Sequence, residues 1–387
     1  MTRFFPPLLT LFFAFLLPLS AQEYLPENIP DWAKAQIAEA QARFEQWKGD
    51  DEVIVFPTVT DIHDGDPAIY DPIDWGAAKM HTLFAQYAAG QFRADFLADL
   101  GDIGLDSKQD ERGARLRIAV SRRLYKNCPV PILFAMGNHD HNNSTFYVTS
   151  QLFGETFNGW QKEKGVNLIT GPNQDYGYYD LPEKKCRVFF LNTSDEGYYG
   201  YSTDQLRFLA DNLRLPEGFS ALVVEHFCVY APIGYWKSYA DTRAKRDELM
   251  IKILEDFVAG AKGTEEDVAW DFTENKGTAF IGLFCGDSHF DNQACINGVH
   301  YIISQGYGTV NPKELPDGAI IRPFNRDETM LIDVVAVKPR TRQIHLFRIG
   351  SGGADADREF SYETQFSRPP GKVSPNTAFA AVLFVHP

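Results

Sequence analysis

Apolar residues follow two patterns along the chain, and each pattern predicts one type of secondary structure. Over residues 31–47 the apolar side chains recur at spacings of three and four, which predicts an amphipathic helix on the domain surface. From residue 53 onward the apolar runs are short and rich in β-branched and aromatic residues, which is typical of buried strands. The predicted strands cover residues 53–59, 96–100, 130–136, 188–191, 221–224 and 279–284.

Helical segments are predicted between several of these strands, at residues 75–91 and 206–213. The second segment follows Ser202 and Gln205, whose spacing predicts a capping box at its N-terminus. Residues 242–261 are charged and amphipathic, so we expect another helix there. Strands that alternate with helices indicate an α/β fold.

Length and the C-terminal pattern predict how the chain is divided. At 387 residues it exceeds the usual size of one domain, but a single large α/β domain with extensions can absorb this length. Residues 330–337 and 343–349 flank a polar turn and predict a β-hairpin. The predicted division is a signal peptide at 1–21, an N-terminal helical extension at 22–50, one α/β domain at 51–350 and a tail of unassigned role at 351–387.

The N-terminus has the pattern of a secretory signal peptide. Arg3 precedes an apolar run over residues 8–19 whose one polar residue is Thr10, and the small residues Ser20 and Ala21 follow it. The run is shorter than the ~20 residues that a membrane-spanning helix needs, which disfavours the alternative of a single-span anchor. We therefore expect a secreted or periplasmic protein with no membrane span once the signal is removed.

The charge and the cysteine spacing argue against several classes of protein. A net charge of -15 makes broad nucleic-acid binding unexpected, because such binding needs a basic surface. Small phosphate esters remain possible substrates, since bound metal ions would supply positive charge locally. The five cysteines have neither the C-x-x-C spacing of a zinc knuckle nor the density of a disulfide scaffold, so we expect them to pack as small apolar residues. Nothing in the sequence indicates an oligomeric state.

Residues with oxygen or imidazole ligand atoms follow five of the six strands predicted between residues 53 and 284, at the point where the strand ends. An isolated Asp-x-His triplet is common in polar loops and a lone histidine is usually a core residue, so each member alone is a weak indication. Together they are hard to explain by chance, because α/β folds build their sites at the carboxyl ends of strands. The set is Asp61, His63, Asp102, Asn138, His139, Asp140, His226, Asp287 and His289.

The ordered series of these motifs resembles that of the calcineurin-like metallophosphoesterases over about residues 53–350. The series is Asp-x-His, Gly-Asp, Gly-Asn-His-Asp, a single His after a strand, and a final Gly-x-x-His. This resemblance implies a two-sheet β-sandwich flanked by helices, two divalent metal ions at the strand ends, and hydrolysis of phosphate monoesters or diesters.

The resemblance also implies a role for each residue. It assigns Asp61, His63 and His289 to the first metal ion. It assigns Asn138, His226 and Asp287 to the second ion and makes Asp102 the bridge between the two ions. His139 would be the general acid for the leaving group, and Asp140 would orient the imidazole of His139.

The chemistry of phosphate esters is consistent with these roles. An anionic ester resists hydroxide, and two metal ions ~3.5–4 Å apart both clamp the phosphoryl oxygens and lower the pKa of a bridging water. A protonated histidine such as His139 then supplies the proton of the leaving group, which typically contributes ~10²–10⁴-fold in rate. Oxygen and nitrogen ligands without thiolate suit Mn, Fe, Zn or Mg.

Two positions depart from the family pattern. Asp287 stands where the family usually has the first histidine of Gly-His-x-His, and a harder, more anionic ligand favours Mn, Mg or Fe over Zn. Leu105 stands where the purple acid phosphatase branch has a tyrosine, so we do not expect a tyrosinate-coloured ferric centre. The alternative hypothesis is a degenerate, non-catalytic ligand-binding or scaffold protein in which Asp287 has abolished the second metal site.

Aromatic residues follow His226 in the sequence and are candidates for substrate contact. Tyr230, Tyr235 or Trp236 could stack on a planar or sugar portion of a substrate. The alternative is that these side chains only pack their loop onto the domain. The sequence does not identify the substrate.

Overall fold

The computed structural model describes residues 25–63, 75–103, 110–141, 146–196, 199–234, 246–306 and 331–363. The predicted signal peptide, Leu105, Tyr235 and Trp236 lie outside these ranges. In chain order the strands are β1 Ile54–Val59, β2 Leu97–Asp99, β3 Ile132–Phe134, β4 Leu168–Thr170, β5 Gly177–Leu181, β6 Cys186–Phe190, β7 Ser220–Val224, β8 Lys262–Glu265, β9 Val268–Asp271, β10 Ala279–Cys285, β11 Asn292–Ile296, β12 Val299–Ile303, β13 Leu331–Lys338, β14 Gln343–Gly350 and β15 Arg358–Ser361.

The described α-helices include every helix predicted from the pattern. In chain order they are α1 Asp31–Lys48, α2 Trp75–Gln91, α3 Glu111–Leu124, α4 Ser150–Gly154, α5 Trp160–Glu163, α6 Thr203–Asn212, α7 Ala231–Gly234 and α8 Asp247–Ala259. Among the described helices, none is both long and apolar enough to cross a bilayer.

Two large mixed sheets form the framework, which confirms the predicted α/β sandwich. The first sheet has six strands in the order β15-β14-β13-β1-β2-β3, and the second has seven in the order β11-β12-β10-β7-β6-β5-β4. Strands β1, β2 and β3 are parallel to one another, as are β6, β7, β10 and β12. Their carboxyl ends therefore lie at one edge of each sheet, where α/β folds place ligand-binding residues.

An apolar core fills the space between the two sheets. Phe56 of β1 stacks on Phe96 with the ring centroids 4.6 Å apart, and its edge meets Phe284 of β10 at 5.3 Å. Strands buried on both faces need continuous apolar runs, which is the pattern that β1 and β10 show. This contact across the sheets holds the ends of β1 and β10 near each other.

Helices cover the outer faces of the sandwich. The first sheet packs against α1, α2 and α3, and the second packs against α6 and α8. Helix α1 buries Ala33, Ile37, Ala40 and Phe44, which confirms the spacing of three and four predicted for this segment. Arg43 on α1 also donates to Asp357, with Nε 3.0 Å from Oδ2, so the helix is tied to the segment before β15.

The C-terminal hairpin was predicted from the sequence, whereas its edge strand was not. Strands β13 and β14 pair antiparallel from Leu331 to Lys338, as expected. Strand β15 then extends the sheet by pairing with β14. Arg358 of β15 lies 2.7 Å from Asp333 of β13, so these tail residues also contribute to the ionic contacts of the sheet.

The predicted capping box at α6 is only half present. The Ser202 side chain accepts a hydrogen bond from the backbone N–H of Gln205, as such a cap requires. The Gln205 side chain does not complete the box: its Oε1 accepts from the backbone N–H of Asn192, and its Nε2 donates to the Asn192 carbonyl. The glutamine thus joins α6 to the segment that follows β6.

Candidate metal centre

The predicted residues come together because hydrogen bonds join the ends of their strands. In the first sheet, the backbone N–H of Asp61 donates to the carbonyl of Gly101 at 3.0 Å. In the second sheet, the N–H of Gly286 donates to the carbonyl of His226 at 2.8 Å. The N–H of Asp287 donates across the sandwich to Oδ2 of Asp61 at 3.0 Å. These contacts bring both sheet edges into one site.

Several of the site residues have left-handed backbone conformations. Such conformations are uncommon for residues other than glycine, although Asp and His adopt them more readily than most. Each costs on the order of 1–3 kcal/mol, and such strain clusters at functional sites because surrounding structure must hold it. The residues and their φ values are Asp61 (53°), His63 (46°), Asp102 (55°), Asp287 (62°) and His289 (57°). The strained turns are therefore located at the predicted ligands.

Asp61, His63 and His289 form a first buried group of possible metal ligands. Nε2 of His289 lies 3.1 Å from Oδ1 of Asp61 and 3.3 Å from Nε2 of His63. Burial, with the neighbouring positive charges of the other histidines, outweighs the nearby carboxylates and lowers the pKa of His63 to about 4. The neutral imidazole that results is the form that binds metal ions.

Asp61, Asp102 and His226 form a second buried group next to the first. Oδ2 of Asp102 lies 3.2 Å from Nε2 of His226 and 3.6 Å from Nε2 of His63, so this carboxylate lies between one ring of each group. Asn138 and Asp287 face the same nitrogen of His226, with their Oδ1 atoms at 3.0 Å and 3.3 Å. All seven residues predicted as metal ligands are thus gathered around the two groups.

The tautomer of His226 indicates that the second group suits a cation. Nδ1 of His226 lies 2.8 Å from the carbonyl oxygen of Leu100, so this nitrogen carries the hydrogen and donates it. The lone pair of Nε2 in the neutral ring then points at the oxygens of Asp102, Asp287 and Asn138. Only a proton or a metal ion relieves this repulsion. Although burial opposes ionisation, the two carboxylates hold the pKa of His226 well above its usual value.

His139 and Asp140 lie in a short 3-10 turn, His139–His141, beside the first group. The ring of His139 is half-buried, and its centroid is 5.1 Å from that of His63. The backbone N–H of His139 donates to Oδ1 of Asp102 at 2.9 Å. The carboxylate of Asp140 accepts hydrogen bonds from the backbone N–H groups of Gly137, Asp102 and Ile103. Asp140 thus fixes the turn, and its predicted contact with the imidazole of His139 stays a prediction.

Solved structures similar to this chain include a dimetal phosphatase from Danio rerio. It aligns with a TM-score of 0.55 and 14% sequence identity, and the alignment covers 81% of this chain and 100% of that one. The chain has the calcineurin-like metallophosphoesterase fold.

Two further structures align less closely. A purple acid phosphatase from yellow lupin (Lupinus luteus) seeds has a TM-score of 0.43 and 12% identity, over 81% of this chain and 53% of that one. GAP50, the anchor in the inner membrane complex of Plasmodium, has a TM-score of 0.45 and 12% identity, over 81% of this chain and 90% of that one. No protein-family model matches the chain, and no curated protein matches it by sequence.

Two residues of this metallophosphoesterase fold were not singled out by the sequence pattern. Thr60 donates its hydroxyl to Oδ2 of Asp61 at 2.7 Å, which leaves Oδ1 facing the histidines. Tyr199 donates its phenol to Oδ1 of Asp287 at 3.3 Å. Thr60 could have been predicted from its position directly before Asp61, since metal ligands usually have outer hydrogen-bond partners. Tyr199 is distant in sequence, and no local pattern marks it.

Of the three aromatic candidates for substrate contact, only Tyr230 lies in the described part of the chain. Its ring stacks on the buried Tyr301 with the centroids 5.1 Å apart. At least one contact of Tyr230 therefore packs its segment onto the domain, and contact with a substrate stays a prediction.

Proposed function

We propose that the protein hydrolyses phosphate monoesters or diesters with two divalent metal ions. The observation that carries the proposal is the convergence of two buried ligand groups that share Asp61, with the Asp102 carboxylate between the rings of His63 and His226. The fold of a dimetal phosphatase supports the same conclusion.

The donors present fit a pair of divalent ions. Asp61, His63 and His289 would hold the first ion, and Asn138, His226 and Asp287 the second, with Asp102 shared. When bound, the two ions supply Lewis acidity and a water that loses its proton near neutral pH. Two divalent cations also outweigh the charge of the three carboxylates, so the loaded site attracts an anionic ester. Because Asp287 is a hard ligand, the proposal favours Mn, Mg or Fe over Zn at the second position.

His139 is the proposed general acid. Its backbone N–H donates to Oδ1 of Asp102, and its half-buried ring lies beside the buried His63. A protonated imidazole in this place donates its proton to the oxygen of the leaving alcohol. Asp140 supports that geometry by holding the backbone turn from which the ring projects.

The proposal extends to the cellular location. The apolar run at residues 8–19, followed by Ser20 and Ala21, supports export to the periplasm or outside the cell. Protein recovered from its native compartment should begin at or near Gln22. Cytoplasmic protein that retains Met1 would contradict this part of the proposal.

The function is tested on purified protein that has been stripped of metal and reloaded with Mn, Mg or Zn. We expect two ions per chain by elemental analysis and hydrolysis of members of a panel of phosphate monoesters and diesters. Asp102→Asn keeps the side-chain shape but removes the shared charge, so metal content and activity should fall together. Full activity in that variant would overturn the binuclear assignment. A native protein with one ion or none and no hydrolysis would favour the non-catalytic alternative.

A further inference from the structure

Tyr199 contacts the same oxygen of Asp287 that faces His226 in the second ligand group. Its phenol donates a hydrogen bond to Oδ1 of Asp287 at 3.3 Å. The same oxygen lies 3.3 Å from Nε2 of His226. The phenol thus contacts the atom that a second metal ion would use.

Tyr199 is itself held in place by the residue that follows His226. Its ring stacks on Phe227, with the centroids 4.1 Å apart and the planes inclined by 26°. The backbone N–H of Phe227 donates to the Thr193 hydroxyl at 3.3 Å, and the carbonyl of Thr193 accepts from the N–H of Gly200 at 2.6 Å. Both the ring and the chain around Tyr199 are therefore tied to the end of β7, which also positions His226.

Because Asp287 stands where an imidazole is usual, its orientation must be fixed by another contact, such as the hydrogen bond from Tyr199. The imidazole ring presents one lone pair in a fixed direction, whereas the terminal torsion of aspartate is broad and offers either oxygen. A hydrogen bond to Oδ1 selects one orientation of the Asp287 carboxylate and removes this freedom before a metal ion binds. Outer partners of this kind typically change metal affinity or activity by ~10–100-fold when they are removed.

We propose that Tyr199 is a positioning residue that orients Asp287 and thereby sets the affinity of the second site for a hard divalent cation such as Mn²⁺. The inference rests on the proposed two-metal site and deepens it, because it explains how an aspartate serves where an imidazole is usual. Tyr199 does not enter the chemistry of ester cleavage. Its effect is exerted on the second ion through Asp287.

The test is a calorimetric titration of metal-free, full-length protein with MnCl₂, with bound Mn counted by elemental analysis. Tyr199→Phe removes the hydroxyl group but retains the ring that stacks on Phe227. We expect the dissociation constant of the second Mn²⁺ to rise ~10-fold or more, while that of the first is unchanged. Tyr178→Phe is the matched control, because the Tyr178 ring packs on Phe189 in the second sheet. Removing its hydroxyl group should leave both dissociation constants unchanged.

A double-mutant cycle separates positioning from a general structural role. In the Asp287→His background there is no carboxylate to orient, so adding Tyr199→Phe should leave Mn²⁺ and Zn²⁺ affinities unchanged. An unchanged second constant in the single variant, or an equal loss in both backgrounds, would overturn the proposal. A native protein that binds two Mn²⁺ but cleaves no ester would refute the proposed hydrolysis, while the same titrations would still decide the role of Tyr199. A native protein with no second ion would overturn both.

Discussion

Gly137 and Asp102 are so close that no side chain fits between them: a Cβ atom on Gly137 would lie 2.1 Å from Oδ1 of Asp102. The same oxygen accepts the backbone N–H of His139, and the Asp102 backbone N–H donates to Asp140. Asp102 is therefore held from several directions and cannot move aside without breaking these contacts. Glycine is required at position 137 because a side chain would not fit. The backbone conformation does not require it, since Gly137 is not left-handed.

Gly137→Ala should displace the Asp102 carboxylate and weaken metal binding by ~10–100-fold, which is the usual effect of disturbing the support of a ligand. The measurement is bound metal per chain after dialysis against a fixed metal concentration, with circular dichroism to verify folding. Gly90→Ala is the control, since a Cβ there would meet only Pro129 at an ordinary 3.6 Å. Unchanged metal content in Gly137→Ala would show that Asp102 is not a ligand.

His139→Gln should slow hydrolysis while leaving both metal ions bound, because the proposed acid is not a ligand. We expect a loss of ~10²–10⁴-fold on alkyl phosphates, whose leaving groups need a proton. The loss on nitrophenyl phosphates should be much smaller, since nitrophenolate leaves without one. Equal losses on both substrate classes would remove His139 from this role.

The sequence predicted the parts of the fold whose apolar residues form continuous runs or recur at the spacing of a helix. The strand at 279–284 was predicted because β10 is apolar throughout, and Asp287 and His289 follow it directly. The candidate residues were therefore found from the position of the strand end and the residue type, and their assignment to two metal ions came from the resemblance to the metallophosphoesterases. Their left-handed turns could not be predicted from a pattern, although Asp and His are among the side chains that tolerate such turns.

Some of the missed elements lack such a pattern, although β12 is buried throughout and was also missed. Strand β8 is largely exposed and carries the residues Lys-Gly-Thr-Glu, and β15 has the residues Arg-Glu-Phe-Ser. These strands exist because a neighbouring strand offers an edge, which is a tertiary effect that local propensity does not record. Tyr199 was missed for a related reason: its contacts with Phe227 and Asp287 depend on how the chain around it folds over β7.

A buried ionic cluster at the edge of the sandwich should make a large contribution to stability. Arg348 is fully buried and lies 2.8 Å from Asp333 and 2.6 Å from Asp291. Arg348→Met leaves these carboxylates without their main partner, so the free energy of unfolding should fall by ~3–5 kcal/mol. Urea denaturation measures this, with Arg207→Met as the control: that arginine forms an exposed pair with Asp204, whose loss should cost less than ~1 kcal/mol. Similar losses in both variants would contradict the cluster's role.

The same cluster predicts a dependence of stability on pH. Although burial opposes ionisation, Arg348 and Arg358 hold the pKa of Asp333 below its ordinary value. A carboxylate with a lowered folded pKa stabilises the protein above its unfolded pKa of ~3.9 and loses that contribution as pH falls further. The difference in unfolding free energy between native protein and Arg348→Met should therefore narrow only below about pH 4, as measured by urea denaturation from neutral pH down to about pH 2. A constant difference would show that Arg348 acts through packing alone.

Asp287 decides between an active enzyme and a degenerate one. Its carboxylate lies 3.3 Å from Nε2 of His226, a distance that suits a shared ion. Asp287→Ala should retain the first ion and lose the second, together with most of the activity. Asp287→His should retain two ions and some activity but shift the preference from Mn or Mg toward Zn, because an added imidazole is a softer donor than a carboxylate.

Metal stoichiometry and turnover of the native, Ala and His proteins separate the two hypotheses. If Asp287 binds an ion, the native protein is active with Mn or Mg, and Ala is the most impaired of the three. If Asp287 only occupies space, Ala is tolerated, and His adds a second ion and an activity that the native protein lacks. The Asp287 side chain is already shared between His226 and the Tyr199 phenol, so we expect the first outcome. Activation of an inert native protein by Asp287→His would instead establish that the second site has been lost.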